Sequence, residues 1–214
     1  MADKGAITRI QAHIDAIYDL DVPERATDFL IERGVLEHLE VEGIVPVGLS
    51  ASDEQVLVLG GEEEVSLAVW LSERVRAGLL GPRSLQVHCH ATEAVSHFLM
   101  LIWSAREGRS VRLFDLELQA EIDKAATALL EDLRVGGGGG GPRLLRRMFA
   151  DVEFDPRLSE AERQRYLEAH KLAAGYAGRL LELLGRGPEW MLEELRALYR
   201  LPGEGKVRRV ARAA

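Results

Sequence analysis

The sequence predicts an α+β fold: helix-rich, with a small, mostly antiparallel sheet of three or four strands packed against a helical layer. Three observations predict it. Apolar residues recur at three- and four-residue steps near both ends of the chain, the spacing of one helix face. Between residues 43 and 89 the period shortens to two or gives way to short unbroken apolar runs. After residue 90, helix start and stop signals dominate. Strands flanked by helices keep a parallel pair, and so an α/β fold, as second choice.

Taken in order, Ile7, Ile10, Ile14 and Ile17 share one face of a first helix, which must end before Pro23. Pro23 suits a helical first turn, and Gly34 a stop, so a second helix is expected between them with Ala26, Phe29 and Leu30 inward. Residues 43–47 and 55–59 read as strands, and Gly60-Gly61 as a turn. Residues 65–71 read as a third strand running into a helix to Ala77, broken at Gly81-Pro82. Leu85, Val87 and Cys89 alternate with Gln86, His88 and His90, the pattern of a half-buried fourth strand.

Helices are then expected over 91–106, closed by Gly108, and over 115–134, with Asp115 as cap and Glu117 in the first turn. Leu118, Ile122, Ala125, Leu129 and Leu133 form the inner side of the latter. Gly136 to Gly141 read as a flexible loop. A phosphate loop needs Lys and Ser or Thr after its glycines, and Pro142-Arg143-Leu144 supplies neither. Ser159 and Glu162 make a capping box for a helix to Leu184, and Pro188 opens another to Tyr199. Residues 1–200 are expected to form a single compact domain, and 201–214 a basic tail, either solvated or folded back on the acidic body.

Composition narrows the function classes. A net charge of -8 repels phosphate backbones and anionic lipid, which argues against nucleic-acid and membrane partners. The single cysteine, the absence of a secretory pattern at the N terminus and short apolar runs lead to the expectation of a soluble, cytoplasmic protein. The Ala, Arg, Leu, Glu and Gly bias is of bacterial type.

Residues that carry chemistry gather in two places. His88 and His90, on one side of the expected strand, precede Glu93 and His97, at i and i+4 of the next helix. Imidazole with carboxylate suits zinc, iron or manganese, so these four are candidate ligands of a divalent metal. The plainer explanation is that the outer face of a half-buried strand is polar. Glu117 and Glu121, also four apart, repel unless a cation lies near; Lys124 or His170 serves. His170 falls on the apolar face of its helix, and with the two glutamates it is a candidate for a buried polar pocket. A di-iron site is not matched, because Glu-x-x-His is missing. Cys89 falls on an apolar face, where a thiol is inert.

Two readings follow. The first is a non-catalytic interaction, regulatory or ligand-binding protein, whose isoleucine stripe either faces its own core or pairs with a second copy. Its partner is an unknown protein or a second copy. The alternative is a metal-dependent enzyme using His88, His90, Glu93 and His97, with Glu121 or His170 as outer shell or base.

Overall fold

A computed structural model describes residues 2–60, 65–82, 84–136, 140–150 and 157–213. The chain is helix-rich with one two-stranded antiparallel sheet among the described residues. By internal contacts it groups into two units. The first holds residues 1–13 and 21–107, the second 14–20 and 108–214. The division runs through the first helix, α1 (Ala2–Tyr18). All four isoleucines of its stripe are at most 8% exposed, so that stripe belongs to the core and not to a pairing seam.

The first unit contains α2 (Arg33–Val41), β1 (Glu54–Gly60), β2 (Val65–Leu71), α3 (Glu73–Gly78) and α4 (Leu85–Arg106). The strands pair in register from Glu54 with Leu71 to Gly60 with Val65. The helix expected between Pro23 and Gly34 is a short 3-10 turn, Ala26–Asp28. Its continuation is diverted to the sheet: Val69 donates to the Phe29 carbonyl at 2.8 Å, and Ile31 donates to the Val69 carbonyl at 3.0 Å. Helix α2 therefore starts where a stop was expected.

Two of the expected strands are absent from these positions. Residues 43–47 form a loop, because Gly43 turns the chain at φ +67° and the Ile44 and Val45 amides both return to the Leu39 carbonyl. Residues 85–89 are the opening turns of α4. Ser84 caps that helix by accepting from the Val87 amide at 3.4 Å, and Val87, Ala91, Ala94, Val95 and Phe98 continue one buried face. The Leu-x-Val-x-Cys alternation coincides with the first turns of a helical face. Cys89 consequently is half-buried and not on a sealed strand face.

The second unit contains α5 (Leu113–Arg134), α6 (Gly141–Phe149), α7 (Glu160–Arg186), α8 (Pro188–Tyr199) and α9 (Gly203–Ala213). Helix α7 begins at the expected capping box: the Ser159 hydroxyl accepts from the Glu162 amide, and the Glu162 carboxylate accepts from the Ser159 amide at 2.9 Å. Asp115 is the third residue of α5, not its cap; it accepts from the Arg112 guanidinium at 2.8 and 3.0 Å. Leu133, expected inside, is 43% exposed. The last turn of α1 is tied down by α8, where Arg196 donates to the Ala16 and Ile17 carbonyls and Arg200 to that of Tyr18, all at 3.0 Å. These guanidinium groups satisfy carbonyls that a helix end leaves open. Residues 137–139 of the glycine run lie outside the described residues, while Gly141 is buried as the first residue of α6. The basic tail is helical, and Lys206 and Val210 of α9 are buried.

Candidate functional site

The histidines near residue 90 are arranged by α4. Residues two apart on a helix point about 200° apart, so His88 and His90 do not share the side that a strand would give them. His88 lies 3.4 Å from the Thr92 hydroxyl. His90 lies 3.6 Å from Asp53, which also accepts from the Ser72 hydroxyl at 2.9 Å and from Arg74. Burial pushes the Asp53 carboxyl up, but Arg74, Ser72 and His90 outweigh it and hold it below its ordinary value. His90, Glu93 and His97 fall on one side of α4. Ligand atoms of Glu93 and His97 lie within 4.8 Å of each other, close enough for a two-ligand half-site for a divalent cation.

In the second unit, Glu121 and His170 meet. The His170 Nδ1 is 3.1 Å from a Glu121 carboxylate oxygen, and its Nε2 is 3.2 Å from the Phe149 carbonyl. Lys124 donates to the other Glu121 oxygen at 2.7 Å. Burial pushes Glu121 up, yet the Lys124 ammonium and His170 outweigh it and hold the carboxyl well below its usual range. Burial pulls His170 down, but Glu121 overcomes that and raises it. Arg165 approaches Glu117 at 3.8 Å.

A second buried network was not legible as a site. Tyr18 donates to Asp123 in a short hydrogen bond. The Gln119 amide nitrogen donates to Asp123 at 2.7 Å and to the Tyr18 oxygen at 2.9 Å. With its NH2 group so engaged, Gln119 turns its carbonyl oxygen to Lys206, whose ammonium donates to it at 2.6 Å. The ammonium also lies 5.1 Å from the Tyr199 ring centroid, and Tyr199 stacks on Tyr18 at 4.3 Å. Lys206 is 1% exposed and Asp123 1%. Burial pulls the Lys206 ammonium down to about 8, against the pull of Asp123 and Asp115. The available signals were the i, i+4 spacing of Gln119 and Asp123 on the inner face of α5 and of Lys206 and Val210 on α9.

The first unit also carries an exposed apolar surface. Leu36 and Val45 join Leu57, Ala68 and Trp70 in a small core, with Leu39 and Leu49 against it. That leaves Val41, Ile44 and Val47 outside, 82%, 58% and 86% exposed. The loop bearing them is built, not slack: the Glu40 carboxylate accepts from the Ser50 amide at 2.7 Å and from its hydroxyl at 3.1 Å. Gly43 and Gly48 hold left-handed φ of +67° and +101°, where a side chain is strained. Residues 32–54 carry six carboxylates and one arginine, Arg33, which lies 3.5 Å from Glu37; of the six, Glu32 pairs with Arg76 at 2.9 Å and Asp53 with Arg74.

No helix of the described residues is long and apolar enough to cross a membrane. No protein-family model, no curated protein and no solved structure matches the chain.

Proposed function

We propose that this chain is a non-catalytic interaction protein, and that α2 with the loop after it docks a basic, amphipathic segment of a partner protein. The observation that carries the reading is the outward set of Val41, at the end of α2, with Ile44 and Val47 on the following loop, which Glu40 clamps. Apolar side chains held outward by a fixed backbone lose little entropy on binding, and each one fully covered contributes roughly 1.5–3 kcal/mol. Glu37 and Glu42, on α2 and just after it, are exposed, so a segment with lysines or arginines flanking its apolar face complements the surface in charge. Titrating the full chain with an amphipathic Leu/Lys helical peptide tests this. Binding that falls at least about tenfold in Val41→Asp and Val47→Asp is expected, a loss of about 1.4 kcal/mol. Equal affinity in wild type and both variants contradicts the reading.

A second reading, a metal-dependent enzyme using His88, His90, Glu93 and His97, is favoured by the proximity of Glu93 and His97 on α4. Metal content of untagged protein and a thermal shift on adding zinc or manganese decide it. Less than about a tenth of an equivalent, with no shift, ends this reading.

A further inference from the structure

Both ring nitrogens of His170 face oxygens that can only accept. The Nδ1 lies 3.1 Å from Glu121, and the Nε2 lies 3.2 Å from the carbonyl of Phe149, the last residue of α6. Lys124 donates to the other Glu121 oxygen at 2.7 Å, which keeps that carboxylate ionised and unable to donate. A neutral imidazole carries one N–H in either tautomer, so it leaves one of the two oxygens facing a lone pair. Only the imidazolium donates to both, and the arrangement is that of a charged His170.

The two bonds do not weaken alike when one proton leaves. The proton towards Glu121 is held by a charge-assisted bond and stays. The Nε2 then turns a lone pair on the Phe149 carbonyl, one of the oxygens that a helix end leaves without a partner inside the helix. Among the described residues, the other charged groups of the packed helices are turned to other partners or to solvent. Glu117 of α5 is approached by Arg165, and Arg143, Arg146 and Arg147 of α6 are exposed. On α7 the residues a turn from His170 are Tyr166, Leu167, Ala173 and Ala174. Helices α8 and α9 also pack on α7; there Glu194 accepts from Tyr176 and Arg209, and Arg208 pairs with Glu204.

Helix α6 is seated differently at its two ends. At Gly141 a Cβ would lie 2.5 Å from Leu181 of α7 and 3.5 Å from Leu129 of α5, so the first turn rests on a close contact that glycine permits. Beyond Gly141 nothing in α6 is fully buried, and Leu144, Leu145, Met148 and Phe149 are half-buried. The Phe149 ring lies 5.0 Å from the imidazole, so backbone and side chain of this last residue both rest on His170. A helix of nine residues is not stable alone and depends on such ties.

We infer that His170 is a proton-operated latch for α6: the imidazolium ties the last turn of α6 to α7, and loss of one proton frees that turn while Gly141 holds the first in place.

Imidazole nitrogen NMR and amide hydrogen exchange of the full chain test this together. At about pH 6 both His170 nitrogens are expected to carry protons, and on titration to about pH 9 the Nε2 is expected to lose its own. Over the same titration, exchange protection across residues 147–150, corrected for the intrinsic pH dependence of exchange, is expected to fall at least about tenfold with the same midpoint, while residues 173–183 keep theirs. His170→Gln, which cannot ionise, is expected to abolish the step. A bare ring nitrogen at about pH 6, constant protection across residues 147–150, or a step that persists in His170→Gln overturns the inference. If His170→Gln does not fold, the wild type decides: a step whose midpoint differs from that of the imidazole titration overturns it.

Discussion

The two units depart from the ordinary division of apolar inside and charged outside in opposite directions. In the first, Val41 at the end of α2 and Ile44 and Val47 on the loop tied by Glu40 stand in solvent, while Leu36, Val45, Leu57 and Ala68 already form a small core with Trp70. In the second, Lys206 and Asp123 are within the helices, each about as buried as the leucines around them. The first departure costs little in the free chain and is recovered when something covers it. The second costs the isolated chain directly, because ions are desolvated, and is offset only by a matched set of donors and acceptors. The difference separates an apolar surface left in water from a buried charged set paired within the chain.

That contrast can be broken by removing its parts. Asp123→Ala should have the largest effect, about 3–5 kcal/mol of unfolding free energy by urea denaturation, because it strips the carboxylate from a buried set that includes a cation. Next is the pH dependence of Lys206. Its folded value of about 8 lies below the 10.5 of the unfolded chain, so burial of the charge is a penalty below pH 8 and is relieved as pH rises toward 10.5. Stability should therefore climb by up to about 3 kcal/mol across that window, and Lys206→Met should flatten the climb. Tyr18 and Tyr199, both raised above their ordinary value by burial, reverse the trend above about pH 10, where unfolded tyrosine ionises.

Tyr18→Phe should cost about 1–3 kcal/mol, since Asp123 and Gln119 lose a shared partner inside the protein. The His170 pair should show a smaller, opposite pH response. Its folded value is raised, so its contribution is complete below pH 6.5 and fades as pH rises through the folded value; His170→Gln should remove that step from the stability profile. At the small end, Val41→Ser and Val47→Ser should change stability by no more than about 0.5 kcal/mol, because neither side chain is buried in the free chain. A large loss there would show that these valines belong to a core and would erase the contrast.

Much of the architecture was legible from local signals. The isoleucine steps of α1, the capping box of Ser159 and Glu162, and Pro188 after Gly187 each specify structure within a few residues, and each stands where the spacing places it. What was not legible depends on distant partners. The segment after Pro23 reads as helix until its backbone meets Val69, and the alternation at 85–89 reads as strand until Ser84 caps it. The sheet is smaller than expected for the same reason. Among polar residues, burial of His170 followed from its apolar helix face, whereas the pairing of Gln119 with Lys206 joins residues 87 apart and has no local signature. The segment after α2 read as a strand because residues 43–47 form a short apolar run, and only the turn at Gly43 shows it to be a loop with Val45 inward and Ile44 and Val47 outward.

The proposed docking surface is tested most directly by reversing its charge. Full-length Glu37→Lys/Glu42→Lys, with Val41, Ile44 and Val47 intact, is titrated alongside the wild type with Leu/Lys and Leu/Glu amphipathic peptides of equal length. The account predicts that the wild type prefers the Leu/Lys peptide by at least about tenfold and that the reversed chain loses or inverts this preference. Two chains with the same peptide preference would contradict it.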